Sequence, residues 1–247
     1  WQIWKSSEYN LHINCSGNNS NLSKTINGSE YFKYSYKEIA VSTTIRHNFV
    51  VNNIARQIFL EDEILALLPI SNTKTSIVFT AKKKNIQKYK NFNNLLIKKI
   101  IEENTTRFYK KVKFVTSMEF KDVNLFFPKK AFHERMIILG DALHEVHPFA
   151  GQGFNMTLRD LSNLQMILKE KINLGLDIGS SDILSEFSNN IKSKNFLYLL
   201  GIDFIRKSFS FKKKPINFFR NSTISMMNKN TTAKNIFFNL ADKGLNL

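Results

Sequence analysis

The chain has 247 residues, of which 43% are hydrophobic and 22 are phenylalanine, and it carries a formal net charge of +16. That size and apolar content exclude intrinsic disorder, and the single cysteine, Cys15, excludes an internal disulfide framework and fits a reducing compartment. No run of about 18 apolar residues reads as a membrane-spanning helix, and the chain opens at Trp1 without a basic-then-apolar leader, so no signal peptide is read.

In chain order, Leu11 to Cys15 predicts a short strand, ended by the polar turn Ser16 to Ser20. From Lys37 to Lys82 apolar residues alternate, at Ile39, Val41, Thr43 and Ile45, then through Ile54 to Leu60, Ile64 to Ile70 and Thr75 to Thr80. Breaks at Asn52-Asn53, Glu61-Asp62-Glu63 and Ser71-Asn72-Thr73 have the lengths of hairpin loops, so an antiparallel sheet is expected. Lys83 to Thr105 predicts one helix from the spacing of Ile86, Tyr89, Leu96, Ile97 and Ile100. Val112 to Phe120 and Val123 to Phe127 return to strands.

Met136 to Leu139 is an apolar run of buried-strand length that stops at the turn Gly140-Asp141. This puts a carboxylate just past the strand's carboxyl end, where open α/β sheets bind ligands. A loop from Pro148 to Gly153 follows, and then Phe154, Leu158, Leu161, Leu164 and Leu168 mark one face of a helix starting at or just after Gly153. Asn173-Leu174-Gly175 is a helix stop, Ser181-Asp182 an N-cap pair, and Ile183 to Phe209 a helical pattern interrupted near Gly201. The tail, Ile216 to Leu247, mixes Phe218, Phe219, Phe237 and Phe238 with Lys and Arg; it reads as a helix docked on the body or lying on a bilayer.

Lysines cluster at Lys82 to Lys84, Lys110-Lys111, Lys129-Lys130 and Lys212 to Lys214. No zinc-ligand spacing, basic heptad or aromatic-basic signature accompanies them, so no nucleic-acid partner is expected. They read first as solvated faces and second as a surface drawn to anionic lipid.

The physics of one stretch points to a ligand. Glycines on either side of Gln152 let the backbone approach a flat molecule, and the free N–H groups of a first helical turn, with the positive end of the dipole, favour an acceptor or anion. Asp141 is suited to accept hydrogen bonds from sugar or polyol hydroxyls. Read whole, GDALHEVHPFAGQGFNMTLRD resembles the second flavin-binding motif of class A FAD-dependent aromatic monooxygenases, most closely the ubiquinone-biosynthesis hydroxylases, whose pattern is GDAAHxxHPxAGQGxNxGxxD. Gly140, Asp141, Ala142, His144, His147, Pro148, Ala150, Gly151, Gln152, Gly153, Asn155 and Asp160 match it. Leu143 and Thr157 depart from it, the second where the family has Gly and where crowding of the helix against the sheet is expected.

The resemblance implies that Gly140, Asp141, Pro148, Ala150, Gly151, Gln152, Gly153, Phe154 and Asn155 contact FAD, with the aspartate on the ribityl chain and the glycine-flanked loop against the isoalloxazine. It implies that the sheet carrying Leu67, Leu68 and Pro69 covers an aromatic substrate; the same residues are also ordinary core candidates. Gly17 and Ser20 match a second fingerprint, DGxxSxxR, whose Asp and Arg are here Ser16 and Ser23. His144 and His147 read as hydrogen-bonded structural histidines, and no catalytic side chain or metal set is assigned.

The expected architecture is α/β (α+β): a partial FAD-binding Rossmann-like domain over 1–30 and 129–180, an antiparallel-sheet substrate domain over 31–128, and C-terminal helices over 181–247. The family's opening GxGxxG unit has no counterpart among the nine glycines. The chain is therefore expected to be an N-terminally truncated form of the enzyme, or else a short form that does not hold FAD tightly. The implied activity is hydroxylation of the aromatic ring of a polyprenyl phenol in ubiquinone biosynthesis, using FAD, NAD(P)H and O2. The alternatives are a flavin monooxygenase acting on another aromatic and a non-catalytic flavin-fold partner in a quinone-synthesis complex. A cytoplasmic protein, peripheral on the inner membrane face, is expected.

Overall fold

The computed structural model describes residues 9–17, 31–60, 63–90, 94–148, 151–210 and 230. It divides into two compact units, one of Trp1–Tyr34 with Leu125–Leu247 and one of Ser35–Asn124.

The central unit is built on a six-stranded antiparallel sheet. The sheet's strands are β2 (Tyr31–His47), β3 (Arg56–Phe59), β4 (Glu63–Ser71), β5 (Lys74–Lys82), β6 (Val112–Phe114) and β7 (Glu119–Pro128), of which the first residues of β2, to Tyr34, and the last of β7, from Leu125, belong to the other unit. The order is β3-β4-β5-β2-β6, with β7 also paired to β2. The alternation read in the sequence is the register seen: Val41 faces Phe79, Leu65 faces Phe79 and Leu67 faces Ile77 across neighbouring strands, and all are buried on one face. Two helices follow β5, α1 (Lys83–Lys90) and α2 (Leu95–Thr105), and Ile86, Ile97 and Ile101 join that core. Each such side chain contributes about 1.5–3 kcal/mol by leaving water.

The single helix expected from Lys83 to Thr105 is thus two, because Asn94 sits in the left-handed region at φ 62° and starts α2 anew. The strand expected from Val112 to Phe120 is likewise two. Between them the Thr116 hydroxyl accepts from the Thr44 backbone N–H at 2.8 Å, and its carbonyl accepts from the Thr43 hydroxyl, so side-chain bonds replace the regular ladder. His47 stacks on Tyr109, centroids 3.9 Å apart, and Thr75 and Asn52 complete a buried hydrogen-bonded knot around the pair.

The other unit holds a three-stranded sheet in the order β1 (His12–Asn14), β9 (Met136–Ile138), β8 (Phe132–His133), with β1 and β9 parallel. Helices α3 (Gln152–Asn173) and α4 (Ser181–Ser210) share its core through Leu164, Ile167, Leu184, Phe187 and Ile191. The helix stop is as read: Gly175 takes φ 67°, and the Leu176 N–H reaches back to the Lys171 carbonyl, which satisfies the last turn of α3.

Two expectations fail in this unit. Helix α4 runs unbroken through Gly201 to Ser210. The buried stripe of α3 is Met156, Asp160, Leu164 and Ile167, whereas Phe154 (70% exposed), Leu158 and Leu161 face outward. The face turned inward is centred on a carboxylate, which no apolar-spacing rule selects. Arg135, at the start of β9, forks onto Asp177 and also donates to the Asn10 carbonyl, closing the sheet's end against the α3–α4 connection. The Arg135 hydrogen bonds, then the Gly179 N–H, hold the Asp177 carboxyl down at about 2. The basic and aromatic tail, Ile216 to Leu247 with Lys212 to Lys214, lies outside the described residues apart from Asn230.

Candidate functional site

Strand β9 ends in a single turn of 3-10 helix, Gly140–Ala142, in which Gly140 adopts φ 65° and its carbonyl accepts from the Leu143 and His144 N–H groups. Asp141 stands exposed on this turn, at the carboxyl end of a parallel strand. The loop that follows is tied twice. Glu145 pairs with Phe126 of β7 through both backbone bonds, 2.9 and 3.0 Å. His144 points inward, where its Nε2–H donates to Asp160 Oδ2 at 2.7 Å. Asn195 of α4 donates to the other carboxylate oxygen at 2.9 Å. His144, Asp160 and Asn195 are all buried, so a single carboxylate joins the turn, α3 and α4 in a site of low dielectric. His144 is hydrogen-bonded, as expected, and buried.

Gly151 is the N-cap of α3, at φ 66° with open space where a side chain would stand. Gly151 makes no side-chain cap, so this end of α3 presents backbone N–H groups and the positive end of the helix dipole to the loop. At Gly153 an added Cβ would lie 3.3 Å from Val146 Cγ2, a tight fit that favours glycine. The crowding expected from Thr157 does not occur: its hydroxyl donates to the Gly153 carbonyl, and its methyl lies 3.8 Å from where a Cβ on Gly140 would stand, an ordinary van der Waals distance.

Of the other expected contacts, Pro148 and Phe154 are exposed and Asn155 is half-buried, while Ala150 lies outside the described residues. Leu67 is wholly enclosed in the sheet's core, so of the three residues expected to meet a substrate only Leu68 and Pro69 keep surface to offer. Ser16 donates its N–H and hydroxyl to Asn14 Oδ1 rather than standing as a charge; Ser20 and Ser23 lie outside the described residues. Three residues that sequence reasoning missed join the site, Arg159 from within the motif and Asn195 and Tyr198 from α4. Tyr198 donates to Gln152 Oε1 and Arg159 lies over the Tyr198 ring. Their partners are 35 to 46 residues away, so no local pattern signals them.

A backbone-lined helix start free of capping side chains, glycines that admit a flat surface, and an exposed carboxylate at the strand end fit FAD: its pyrimidine carbonyls are acceptors and its ribityl chain is a donor. The FAD binding domain family matches residues 10–178. This chain belongs to that family. The ubiquinone biosynthesis monooxygenase of Xenopus tropicalis is 24% identical over 94% of the chain and 57% of its own length. The ubiquinone hydroxylase UbiL of Rhodospirillum rubrum is 26% identical over 82% of the chain and 47% of its own length. The chain thus spans about half the length of these relatives. In fold it is similar to p-nitrophenol 4-monooxygenase from Pseudomonas putida, with a TM-score of 0.72 at 13% identity over 96% of the chain and 60% of that protein. A flavin-dependent brominase gives 0.70 at 14% identity over 94% and 57%. The resemblance to the ubiquinone-hydroxylase branch of FAD-dependent monooxygenases is borne out.

Proposed function

We propose that this chain forms the flavin-facing turn and the substrate sheet of a FAD-dependent monooxygenase that hydroxylates the aromatic ring of a polyprenyl phenol in ubiquinone biosynthesis, with NAD(P)H as reductant and O2 as oxidant. The observation that carries the reading is the pairing of the uncapped helix start at Gly151 with the exposed Asp141, held in one unit by the buried His144–Asp160–Asn195 network. When bound, the flavin supplies the redox chemistry. The residues of this chain would hold and orient it: Asp141 would accept from the ribityl hydroxyls, and the helix start of α3 would offer backbone N–H donors to acceptor atoms of the ring.

Among the described residues no helix is long and apolar enough to cross a membrane. A polyprenyl substrate resides in the bilayer, so the proposed enzyme works peripherally, at a membrane face and beside the other proteins of quinone synthesis.

The test is fluorescence titration with FAD of the chain carrying an added N-terminal βαβ unit. Asp141→Ala is expected to weaken binding about ten- to a hundredfold, the equivalent of roughly 1.5–3 kcal/mol for hydrogen bonds to a charged group. Equal affinity in the two forms refutes the role of Asp141. No FAD binding in either favours a non-catalytic flavin-fold partner.

A further inference from the structure

Glycine geometry does not explain how one side chain in the loop is held. Gln152, the first residue of α3, receives at Oε1 a hydrogen bond from the Tyr198 hydroxyl of α4, with 2.6 Å between the oxygens. A phenol can donate or accept, so this contact alone fits either end of the amide. Arg159 decides between them. Its guanidinium carbon lies 3.7 Å from the centre of the Tyr198 ring, and among the described residues both of its terminal nitrogens are buried with no hydrogen-bond partner. Neither nitrogen bonds a carboxylate among the described residues. A cation over the face of an aromatic ring is attracted by, and draws on, the ring's electron density. It therefore weakens the phenol oxygen as an acceptor and strengthens its O–H as a donor. Tyr198 donates, Gln152 turns Oε1 toward it, and the amide nitrogen is the end directed away from α4.

We propose that Tyr198, biased by Arg159, is a positioning residue that fixes the Gln152 amide as a hydrogen-bond donor at the start of α3 and so selects an acceptor atom on the heterocycle bound there. The chemical class is a carbonyl oxygen or an unprotonated ring nitrogen, as a pyrimidinedione edge presents, and the assignment rests on the reading of the glycine-flanked loop as the flavin face. The contribution lies in α4, a helix that carries none of the flavin motif, and it makes the first-turn donors of α3 part of a larger donor set. A glutamine left to rotate would offer its oxygen as readily as its nitrogen, and recognition of an acceptor would be weakened accordingly.

The experiment uses the full chain labelled with ¹⁵N. The side-chain amide resonances of Gln152 are assigned as the pair missing from Gln152→Glu. Tyr198→Phe keeps the ring and its stack and removes only the hydroxyl, and Arg159→Met removes the charge at similar length. Both are expected to move the Gln152 amide pair. Tyr198→Phe is also expected to weaken binding of lumiflavin, the flavin ring without its polyol chain, by about tenfold, the effect of losing one ordinary hydrogen bond. An unmoved amide pair in Tyr198→Phe overturns the inference. So does a moved pair with unchanged lumiflavin affinity, which marks the contact as structural only, and a Gln152 pair unaffected by Arg159→Met removes Arg159 from it. A chain carrying the added N-terminal βαβ unit that binds neither FAD nor lumiflavin overturns the proposed function and the ligand class assigned here; the amide pair then decides separately whether Tyr198 holds Gln152.

Discussion

Replacing Asp160 with Ala removes the acceptor of two buried hydrogen bonds at once and leaves the His144 Nε2–H and the Asn195 amide without a partner in a site from which water is excluded. A buried donor left unsatisfied costs about 1–3 kcal/mol, so the two together cost about 2–6 kcal/mol, and the better helix propensity of Ala returns only about 0.5 kcal/mol. Against a total stability of about 5–15 kcal/mol for a domain of ordinary size, that is a severe loss. Urea unfolding followed by circular dichroism gives the number directly. Because His144 and Asp160 share one bond, Asp160→Ala, His144→Ala and the double variant are expected to be non-additive by at least about 1 kcal/mol. The local consequence is specific as well: the His144 N–H bonds the Gly140 carbonyl, so freeing the imidazole loosens the turn that carries Asp141. Amide exchange at Leu143 and His144 is expected to quicken more than exchange in β4 and β5. A change in stability within about 0.5 kcal/mol, the range of ordinary surface substitutions, would refute the network's role.

Gly179→Ala places a Cβ 1.9 Å from the Asn10 carbonyl oxygen and 2.5 Å from an Arg135 nitrogen, so the backbone has to move; thermal unfolding is expected several degrees lower, whereas Gly201→Ala, with open space around it inside α4, is expected to gain about 0.5–1 kcal/mol. The carboxyl of Asp177 is lowered from 3.8 to about 2, so its contribution to stability is present above 3.8 and is lost as pH falls through about 2; Asp177→Asn is expected to flatten the acid limb of the stability curve over that window, and added salt to shrink the difference. Leu67→Ala is expected to cost about 2–5 kcal/mol in unfolding free energy and Leu68→Ala less than about 0.5 kcal/mol, because only the first is enclosed; a reversed order would put the sheet's core on the wrong face. The chain is expected to co-sediment with anionic vesicles and to lose them as salt rises, and deletion of Ile216 to Leu247 to weaken this more than neutralising Lys82 to Lys84; a folded, truncated chain that binds as tightly as the full one refutes a membrane-facing tail.

The parts of the site made by backbone could be read from the sequence, and the parts made by buried side chains could not. Gly140 and Gly151 announce themselves because φ values of 65° and 66° strain any residue with a Cβ, so a turn and a helix start of this shape leave glycine in the text. The strands of the central unit were legible for a similar reason: one face is enclosed and the other is not, and a period of two records it at Ile39, Val41 and Ile45. The same logic misled at α3. A reader of apolar spacing selects Phe154, Leu158 and Leu161, whereas the helix turns Asp160 inward, since a carboxylate with two buried donors is as much at home there as a leucine. Asp160 did match the motif, but its partner Asn195 lies 35 residues on, in a helix whose spacing records packing alone. Tyr198 is hidden in the same way. Pairings of this kind are set by how two helices cross, and a sequence shows them only after the fold has brought the helices together.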